Sequence, residues 1–407
     1  MIINYKNLNY LHNNKYFDYF ELTKRNASSK RAFFLQLLIV LKNIFFSVFS
    51  FFSIIHIFKI INKDVFYVGT LNQYNSIISV KNNLPNSILI STRVNDKFIK
   101  SKSNIIIINN FISFLLSLLL TPIFFKEFLT YNKNERNKIL FFFSEYFVSL
   151  GNYYYWNFIF KFIKPKSLIF ANELKSEYRS IILAARNNNI TTSYISHGVT
   201  LDFNQSLIPI CKNYFLSGEY EKNHYSIKDE TNFHLVGRPV YDNIKKRQRP
   251  KEIKTIGICT NSLTDEKKLL DLITSLKCNY NIIYRPHPGH NVFKEKKFTD
   301  LHGVQYSNSN VITPDVFFQD VDLVITGNSS IIIEVLISGI YCVIFQFDKS
   351  TSDPQNFIKN QICSSFSNLK DLVSSLKNKN ISEGNLNYYV IDQNVSSTNL
   401  IVNKLSK

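Results

Sequence analysis

The stretch Tyr284-Arg285-Pro286-His287-Pro288, joined across a polar interval to Val321-Asp322-Leu323-Val324-Ile325-Thr326-Gly327-Asn328-Ser329-Ser330, Glu334, Gly339 and the run Tyr341 to Phe347, decides the fold. An apolar run ending in a basic loop fixed by two prolines reads as a strand and its exit. A second run that turns through Gly327-Asn328-Ser329-Ser330 reads as strand, turn and helix, and Tyr341 to Phe347 as a third strand. The first N–H groups of a helix have no partner inside it, so this start, with two hydroxyls beside it, is a ready anion site. In an open α/β sheet both loops fall at the carboxyl edge, where ligands bind. The simplest ligand is the phosphate of a nucleotide, with Arg285 and His287 supplying positive charge. Glu334, four positions after Ser330, lies one turn on along the same helix face. It can accept two ribose hydroxyls; its competing role is a favourable contact with the helix dipole. The serines, likewise, can be simple helix caps.

Outward from this stretch the same alternation continues. Apolar runs at Asp64–Thr70, Ser87–Ser91, Asn104–Asn109, Ser167–Ala171 and Thr191–Ser196 read as buried parallel strands, with Asn213–Gly218 and Phe233–Gly237 as two more. A helical pattern at Ser176–Asn188 separates two of them. The charged, proline-containing run Lys245-Lys246-Arg247-Gln248-Arg249-Pro250-Lys251 is a linker. A second alternation follows it: strand Lys254–Cys259, helix Asp265–Leu276 capped by Ser262 or Thr264, strand Tyr280–Tyr284, and the deciding stretch. The expected fold is therefore α/β, two Rossmann-like doubly wound domains facing across a cleft. Residues 1–245 form the first, an acceptor-side unit with apolar N-terminal helices, and residues 252–407 the second, which binds the nucleotide donor. A chain of 407 residues suits two domains of about 150–250 residues each.

The chain carries 48 Lys+Arg against 30 Asp+Glu, a net +18 that attracts phosphates or anionic lipid. The charge is dispersed, with no basic stripe interleaved with exposed aromatics, which argues against nucleic acid as a partner. Five widely spaced cysteines with no metal-ligand spacing point to a reducing compartment and no structural zinc. The N-terminus has no secretory pattern. Phe33 to Phe58 is almost wholly apolar, with Lys42 its single formal charge, and basic residues Lys24, Arg25, Lys30 and Arg31 precede it. Phe111–Phe125 and the broken run Phe141–Ile163 are similar. Such runs suit a surface dipping into an anionic membrane or helices buried against a sheet. The first is also long enough to span ~30 Å of bilayer.

Each half places polar residues at strand ends. Thr191–Ser196 runs into His197-Gly198, where a histidine can act as general base near neutral pH or simply bond to a backbone carbonyl. Arg238, in Gly237-Arg238-Pro239-Val240-Tyr241-Asp242, can face a phosphate or neutralise Asp242. Thr260-Asn261-Ser262 ends the first strand of the second half and can line the same cleft.

The order His-Gly, Gly-x-Pro-x-x-Asp, Arg-x-His-Pro and Ser-Ser with a following Glu resembles the GT-B transferases that build bacterial surface polysaccharides. In order it is similar to the CDP-glycerol glycerophosphotransferases of teichoic acid synthesis; the His-Pro and Ser-Ser pair also resembles sialyltransferases and Kdo transferases that use CMP-sugars. The likeness spans about residues 165–348 and does not extend to residues 1–160. It implies that His197 is the base on the acceptor hydroxyl, that His287 contacts the donor phosphate and assists departure, that Ser329 and Ser330 bind phosphate, and that Glu334 holds ribose. Two departures stand out. Val199 follows His197-Gly198 where the glycerophosphotransferases have Thr, with Thr200 one place later, and the acidic Asp/Glu-Asp/Glu-Gly motif of the sialyltransferases is absent.

The expectation is an enzyme without cofactor or metal, since no Asp-x-Asp stands at a strand end. It would move a sugar or polyol phosphate from a CMP- or CDP-linked donor to a glycan or lipid-linked acceptor, as a cytoplasmic protein peripheral on the inner membrane face. A UDP-sugar epimerase of the same architecture and a non-catalytic membrane scaffold are the alternatives.

Overall fold

The computed structural model describes residues 51–93, 97–108, 110–202, 207–227, 230–261, 264–347, 353–391 and 394–406, with a few positions between 34 and 45. Lys24, Arg25, Lys30, Arg31, Ser262 and ten residues of the Phe33–Phe58 run lie outside them. The end of that run, Phe51–Ile60, is a 3-10 helix.

Two all-parallel sheets carry the fold. The first contains β1 (Asp64–Tyr67), β2 (Ser87–Ser91), β3 (Ile105–Ile107), β4 (Ser167–Phe170), β5 (Thr191–Ile195), β6 (Asn213–Leu216) and β7 (Asn232–Leu235), in the order β3-β2-β1-β4-β5-β6-β7. The second contains β8 (Thr255–Cys259), β9 (Asn281–Arg285), β10 (Gln305–Tyr306), β11 (Leu323–Thr326), β12 (Tyr341–Phe345) and β13 (Ser364–Phe366), in the order β10-β9-β8-β11-β12-β13. This is the doubly wound α/β class expected. Strand order reverses between β1 and β4 and again between β8 and β11, and at such a switch point the carboxyl-edge loops part to leave a crevice.

Sequence alternation explains why both faces of each sheet are covered. In β1, Val65 and Tyr67 enter one core with Leu168 and Phe170 of β4, while Phe66 and Ile169 enter the core on the opposite face. The first core is filled by the 20-residue helix Phe143–Phe162, through Tyr146, Tyr155 and Trp156, and by the helix Ser176–Asn187, through Tyr178, Ile181 and Ile182. In the second sheet, Ile256, Ile258, Leu323 and Ile325 pack on helix Glu266–Leu276. Val324, Cys342 and Ile344 pack with helix Ile331–Ser338, alongside Tyr220 and Tyr241 from the first half of the chain. Fully burying a large aliphatic or aromatic side chain contributes about 1.5–3 kcal/mol, so these four layers supply most of the driving force.

Two local expectations change. Helix Glu266–Leu276 is capped by the Asp265 carboxylate, which accepts from the amides of Lys267 and Lys268 at 3.0 and 3.1 Å. Thr264 instead accepts from the Asn261 amide at 3.1 Å. The linker arginine Arg247 is not a free surface charge: it donates to the carbonyls of Phe318, Gln319 and Val321 and pairs with Asp322 at 3.5 Å. Its own carbonyl lies 2.4 Å from where a Cβ on Gly339 would stand, and Gly339 ends its helix at φ +82, so only glycine fits there.

The chain then crosses back. After β13 and helix Leu369–Lys377, the Ile391 amide donates to the Ser217 carbonyl at 3.1 Å. The last helix, Ser397–Leu405, buries Ile401 against Phe66, Ile77 and Val236 of the first unit. Asp242 anchors that helix by accepting from Ser396 Oγ and the amides of Ser397 and Thr398, each at 2.9 Å. Residues 397–405 therefore pack with the first sheet, although the division at the linker assigned them to the second. The reason is local: the helix has an apolar face, and the open layer beside helix Leu71–Asn82 accepts it.

Candidate functional site

The site grows from the two carboxyl edges. In the second sheet, β8 delivers Thr260 and β11 delivers Gly327–Ser330, one on each side of the switch point. Ser330 occupies the N-cap position of helix Ile331–Ser338 with φ −61, and its side chain makes no capping bond. The reason is conformational: a capping residue normally has extended backbone, which turns its hydroxyl back toward the N2 and N3 amides. Among the described residues no protein group bonds to the hydroxyl of Ser329 or Ser330, and both residues are partly exposed. The simple-cap alternative thus fails: the Ile332 and Ile333 amides donate to the carbonyls of Ser329 and Ser330 at 3.1 and 3.2 Å, and what the helix start leaves open is the two serine hydroxyls. Asn328 is tied down separately, donating through Nδ2 to Asp353 at 2.6 Å.

Glu334 stands in the first turn of the same helix. Burial raises its pKa, and the charges of Arg238 and Arg285 oppose that rise. Arg238 comes from the segment after β7 and is 5% exposed. Its Nη2 donates to the His197 carbonyl at 2.7 Å, its Nη1 to the Tyr241 hydroxyl, and its guanidinium lies 4.6 Å from the centre of the Tyr241 ring. The pairing of Arg238 with Asp242 that the sequence allowed is absent, because Asp242 is committed to the last helix. Arg285 is equally engaged. It donates to Ser307 Oγ at 3.1 Å and the Ile312 carbonyl at 2.8 Å, and it lies 5.1 Å from the Phe317 ring centre. Its guanidinium therefore holds the 307–312 loop, and its charge reaches the site through Glu334.

The two candidate histidines differ in kind. His197 follows β5, and its Nδ1 is shut off from solvent without a hydrogen-bond partner. Burial first, then the charges of Arg238 and Lys175, push its pKa down to about 4, so it is unprotonated at neutral pH. His287 follows β9 on an exposed loop. Its Nδ1 accepts the Gly289 amide at 3.0 Å, and in the neutral ring this places the proton on Nε2. Burial and the neighbouring His290 lower its pKa, so the loop presents an Nε2–H donor at neutral pH.

Thr260 shares a 3.1 Å hydrogen bond with the Tyr284 hydroxyl, which donates to Glu295 at 2.8 Å; His290 Nδ1 lies 3.2 Å from the same carboxylate. These residues with Asn261 and Lys294 line a cavity of about 330 Å³. Of these, the sequence reading placed Thr260 and Asn261 at the cleft. Glu295 and His290 sit in a stretch with no apolar periodicity, and nothing in it marks them as neighbours of Tyr284. Tyr241 was likewise missed as a partner of Arg238, although it stands three residues on, in the 3-10 turn Pro239–Asn243.

No protein-family model and no curated protein matches the sequence. Solved structures do share the fold. A UDP-N-acetylglucosamine 2-epimerase of Neisseria meningitidis bound to UDP-GlcNAc superposes with a TM-score of 0.51 at 14% identity, over 84% of this chain and 99% of that one. A 2-epimerase assigned to the same reaction from Listeria monocytogenes gives 0.51 at 11% identity, over 85% and 96%. The wall teichoic acid polymerase TagF gives 0.47 at 12% identity, over 92% and 97%. The protein has the two-sheet GT-B architecture.

Proposed function

We propose that this protein is a GT-B glycosyltransferase of bacterial surface polysaccharide synthesis, moving a sugar or polyol phosphate from a CMP- or CDP-linked donor to a glycan or lipid-linked acceptor. The observation that carries the reading is the uncapped start of helix Ile331–Ser338 at the switch point of the second sheet, where among the described residues nothing bonds to the hydroxyls of Ser329 and Ser330. Helix N-termini of this kind bind phosphate. In the proposed mechanism the hydroxyls of Ser329 and Ser330, at the positive end of the helix, hold the donor phosphate, and the Nε2–H of His287 donates to it as charge builds on the leaving group. Glu334 accepts the ribose hydroxyls, with Arg238 and Arg285 keeping its charge compensated. Thr260 lines the donor side. His197, neutral at pH 7, takes the proton of the acceptor hydroxyl. No resident cofactor or metal enters the scheme.

Stability measured with CMP, CDP, UDP and GDP tests the donor class, since a ligand that binds only the folded state raises the melting temperature. A cytidine nucleotide should give the largest rise; no rise with any nucleotide overturns the proposal. The 2-epimerase architecture of two fold neighbours favours one second reading, epimerisation of a UDP-sugar. Conversion of UDP-N-acetylglucosamine without any acceptor, followed by NMR, would establish it.

We also propose that the protein works at the cytoplasmic face of the membrane, held to anionic lipid. Phe58, Leu119, Phe125, Leu129, Phe158 and Phe162 are exposed on the apolar helices of the first unit, with Lys59, Lys126 and Lys161 on the same helices. Among the described residues no single helix is long and apolar enough to cross a membrane, while the pair Phe111–Leu119 and Thr121–Thr130, bent by 61°, passes on length and composition. Cosedimentation with phosphatidylglycerol vesicles that is reversed by salt supports surface binding; retention that only detergent releases would favour a span.

A further inference from the structure

Asp353 follows β12, beyond the carboxyl edge of the second sheet, and no motif marks it. Its Oδ2 accepts from the amides of Ile358 and Lys359 at 2.8 and 2.9 Å, and its Oδ1 from the amide of Phe357 at 2.8 Å. These bonds close residues 353–359 on their own carboxylate. A further bond leaves the turn: Oδ1 also accepts from Asn328 Nδ2 at 2.6 Å. Asn328 immediately precedes Ser329 and Ser330.

The neighbouring residue reaches the other sheet. The Pro354 carbonyl accepts from the Asp202 amide at 2.5 Å, and Asp202 lies in the segment that leaves β5 through His197 and Gly198. The direction of that carbonyl is well determined. Pro354 takes the second place of a tight turn in which the Asn356 amide donates to the Asp353 carbonyl at 3.0 Å, the place for which the fixed φ of proline is preset. The turn is seated below as well. Phe357 is fully buried, with its ring centre 5.2 Å from that of Tyr389, and the Tyr389 hydroxyl lies 2.9 and 3.0 Å from the carbonyl oxygens of Gln355 and Asn356.

A residue that only closed its own turn would need no partner beyond it. Asp353 instead bears on the turn of the two open serine hydroxyls, and the residue after it bears on the segment of the proposed base.

We infer that Asp353 is a positioning residue shared by both halves of the proposed site. It holds the Gly327–Ser330 turn through Asn328 and, through Pro354, the segment from His197 to Asp202, so one short turn sets the spacing between donor phosphate and base. The inference rests on the roles proposed for Ser329, Ser330 and His197. Asp353 itself touches neither substrate in this scheme.

Hydrogen exchange and CDP affinity, both measured on the full chain, test the two arms. Without nucleotide, Asp353→Ala should speed exchange in the peptide containing Asp202 by roughly 2- to 10-fold, the worth of one hydrogen bond, while helix Ser176–Asn187 keeps its wild-type rate. Asn328→Ala should leave the Asp202 peptide unchanged. With CDP, each single variant should bind more weakly by roughly 2- to 10-fold. The double variant should bind no more weakly than the weaker single one, because the two residues act along one path. If Asp353→Ala does not fold, Asp353→Asn keeps one oxygen for the turn amides and should shift both readings in the same direction. A role confined to the turn would lower the melting temperature and move neither reading. Wild-type exchange at Asp202, faster exchange throughout the first unit, or additive losses of affinity would each overturn the inference. Failure of the transferase proposal has a different signature: no nucleotide binds, and the exchange at Asp202 then decides the inference alone.

Discussion

Arg238 Nη2 donates to the carbonyl oxygen of His197 across 2.7 Å, so a buried cation from the end of β7 holds the backbone of the loop that leaves β5. The bond fixes the peptide and leaves the imidazole to its surroundings. That separation matters, because the ring's low pKa comes first from burial and only then from the cation.

Arg238→Met should be strongly destabilising. It removes the larger of the two positive charges that Glu334 faces, leaving Arg285 alone, and takes the donor from the His197 carbonyl. Removing one partner from a buried charge cluster costs ~3–5 kcal/mol. Arg238→Lys keeps the charge but cannot reach the Tyr241 hydroxyl and the carbonyl with one planar fork, so its midpoint in a urea melt should fall between those of wild type and Arg238→Met. Wild-type stability in Arg238→Met would show that the guanidinium is not the anchor described.

Ser329→Ala combined with Ser330→Ala separates ligand binding from capping. Because Ser330 makes no capping bond, the double variant should melt within about 1 kcal/mol of wild type. Nucleotide affinity should fall, by ~1.5–3 kcal/mol for each hydrogen bond lost to a charged phosphate. Titration calorimetry beside a thermal melt reads both quantities; a lowered melting temperature with unchanged affinity would place the phosphate elsewhere.

His197 and Glu221, a 2% exposed acid in the short helix Glu219–Lys222 after β6, should contribute opposite slopes to stability against pH. His197 is lowered from 6.5 to about 4, so its contribution is complete above pH 6.5 and is lost as pH falls toward 4. Glu221 is raised from 4.5 to about 7, so the folded chain retains the proton, and its contribution is complete below pH 4.5 and is lost as pH rises toward 7. Each spans on the order of 3 kcal/mol. Between those limits the two cancel in the wild type. Glu221→Gln should therefore give stability that rises with pH, and His197→Gln stability that falls. Urea melts at about pH 5 and about pH 6.5 distinguish these from parallel profiles, which would refute the assignment.

Ile401→Ala should loosen the returning helix. The side chain is fully buried against Phe66, Ile77 and Val236, and deleting it costs ~2–5 kcal/mol. Hydrogen exchange in Ser397–Leu405 should accelerate together with that of Leu71–Asn82. Acceleration confined to the last helix would mean that the two do not unfold as one unit.

Most of the strand positions were legible because burial on both faces demands near-continuous apolar runs. The eleven strands expected from such runs all form, each within a few residues of its expected place. The two that were not expected, Gln305–Tyr306 and Ser364–Phe366, lie at the two edges of the second sheet. An edge strand pairs on one side and is half exposed, so its sequence need not be apolar; Ser364-Ser365-Phe366 carries no period to detect. The site was legible as residue types at strand ends. The sequence did not disclose commitments between distant residues, such as Arg285 to Ile312 or Arg238 to His197. These are set by which loops the strand order brings together. The burial of Glu221 was invisible for the same reason, since a Glu in a polar, charged stretch has the appearance of a solvated one.

The return of the last helix to the first sheet means that the two units are joined twice, once through residues 236–254 and again through residues 386–397. A single tether would let them turn about any axis. Two tethers leave mainly rotation about the line between the crossings, the motion of a hinge with two pins. Gly218 lies against the second crossing: a Cβ there would stand 2.6 Å from the Tyr389 backbone, and Tyr220 stacks on the Tyr389 ring at 4.3 Å. Opening and closing would then change the gap between the two carboxyl edges while keeping their lateral register.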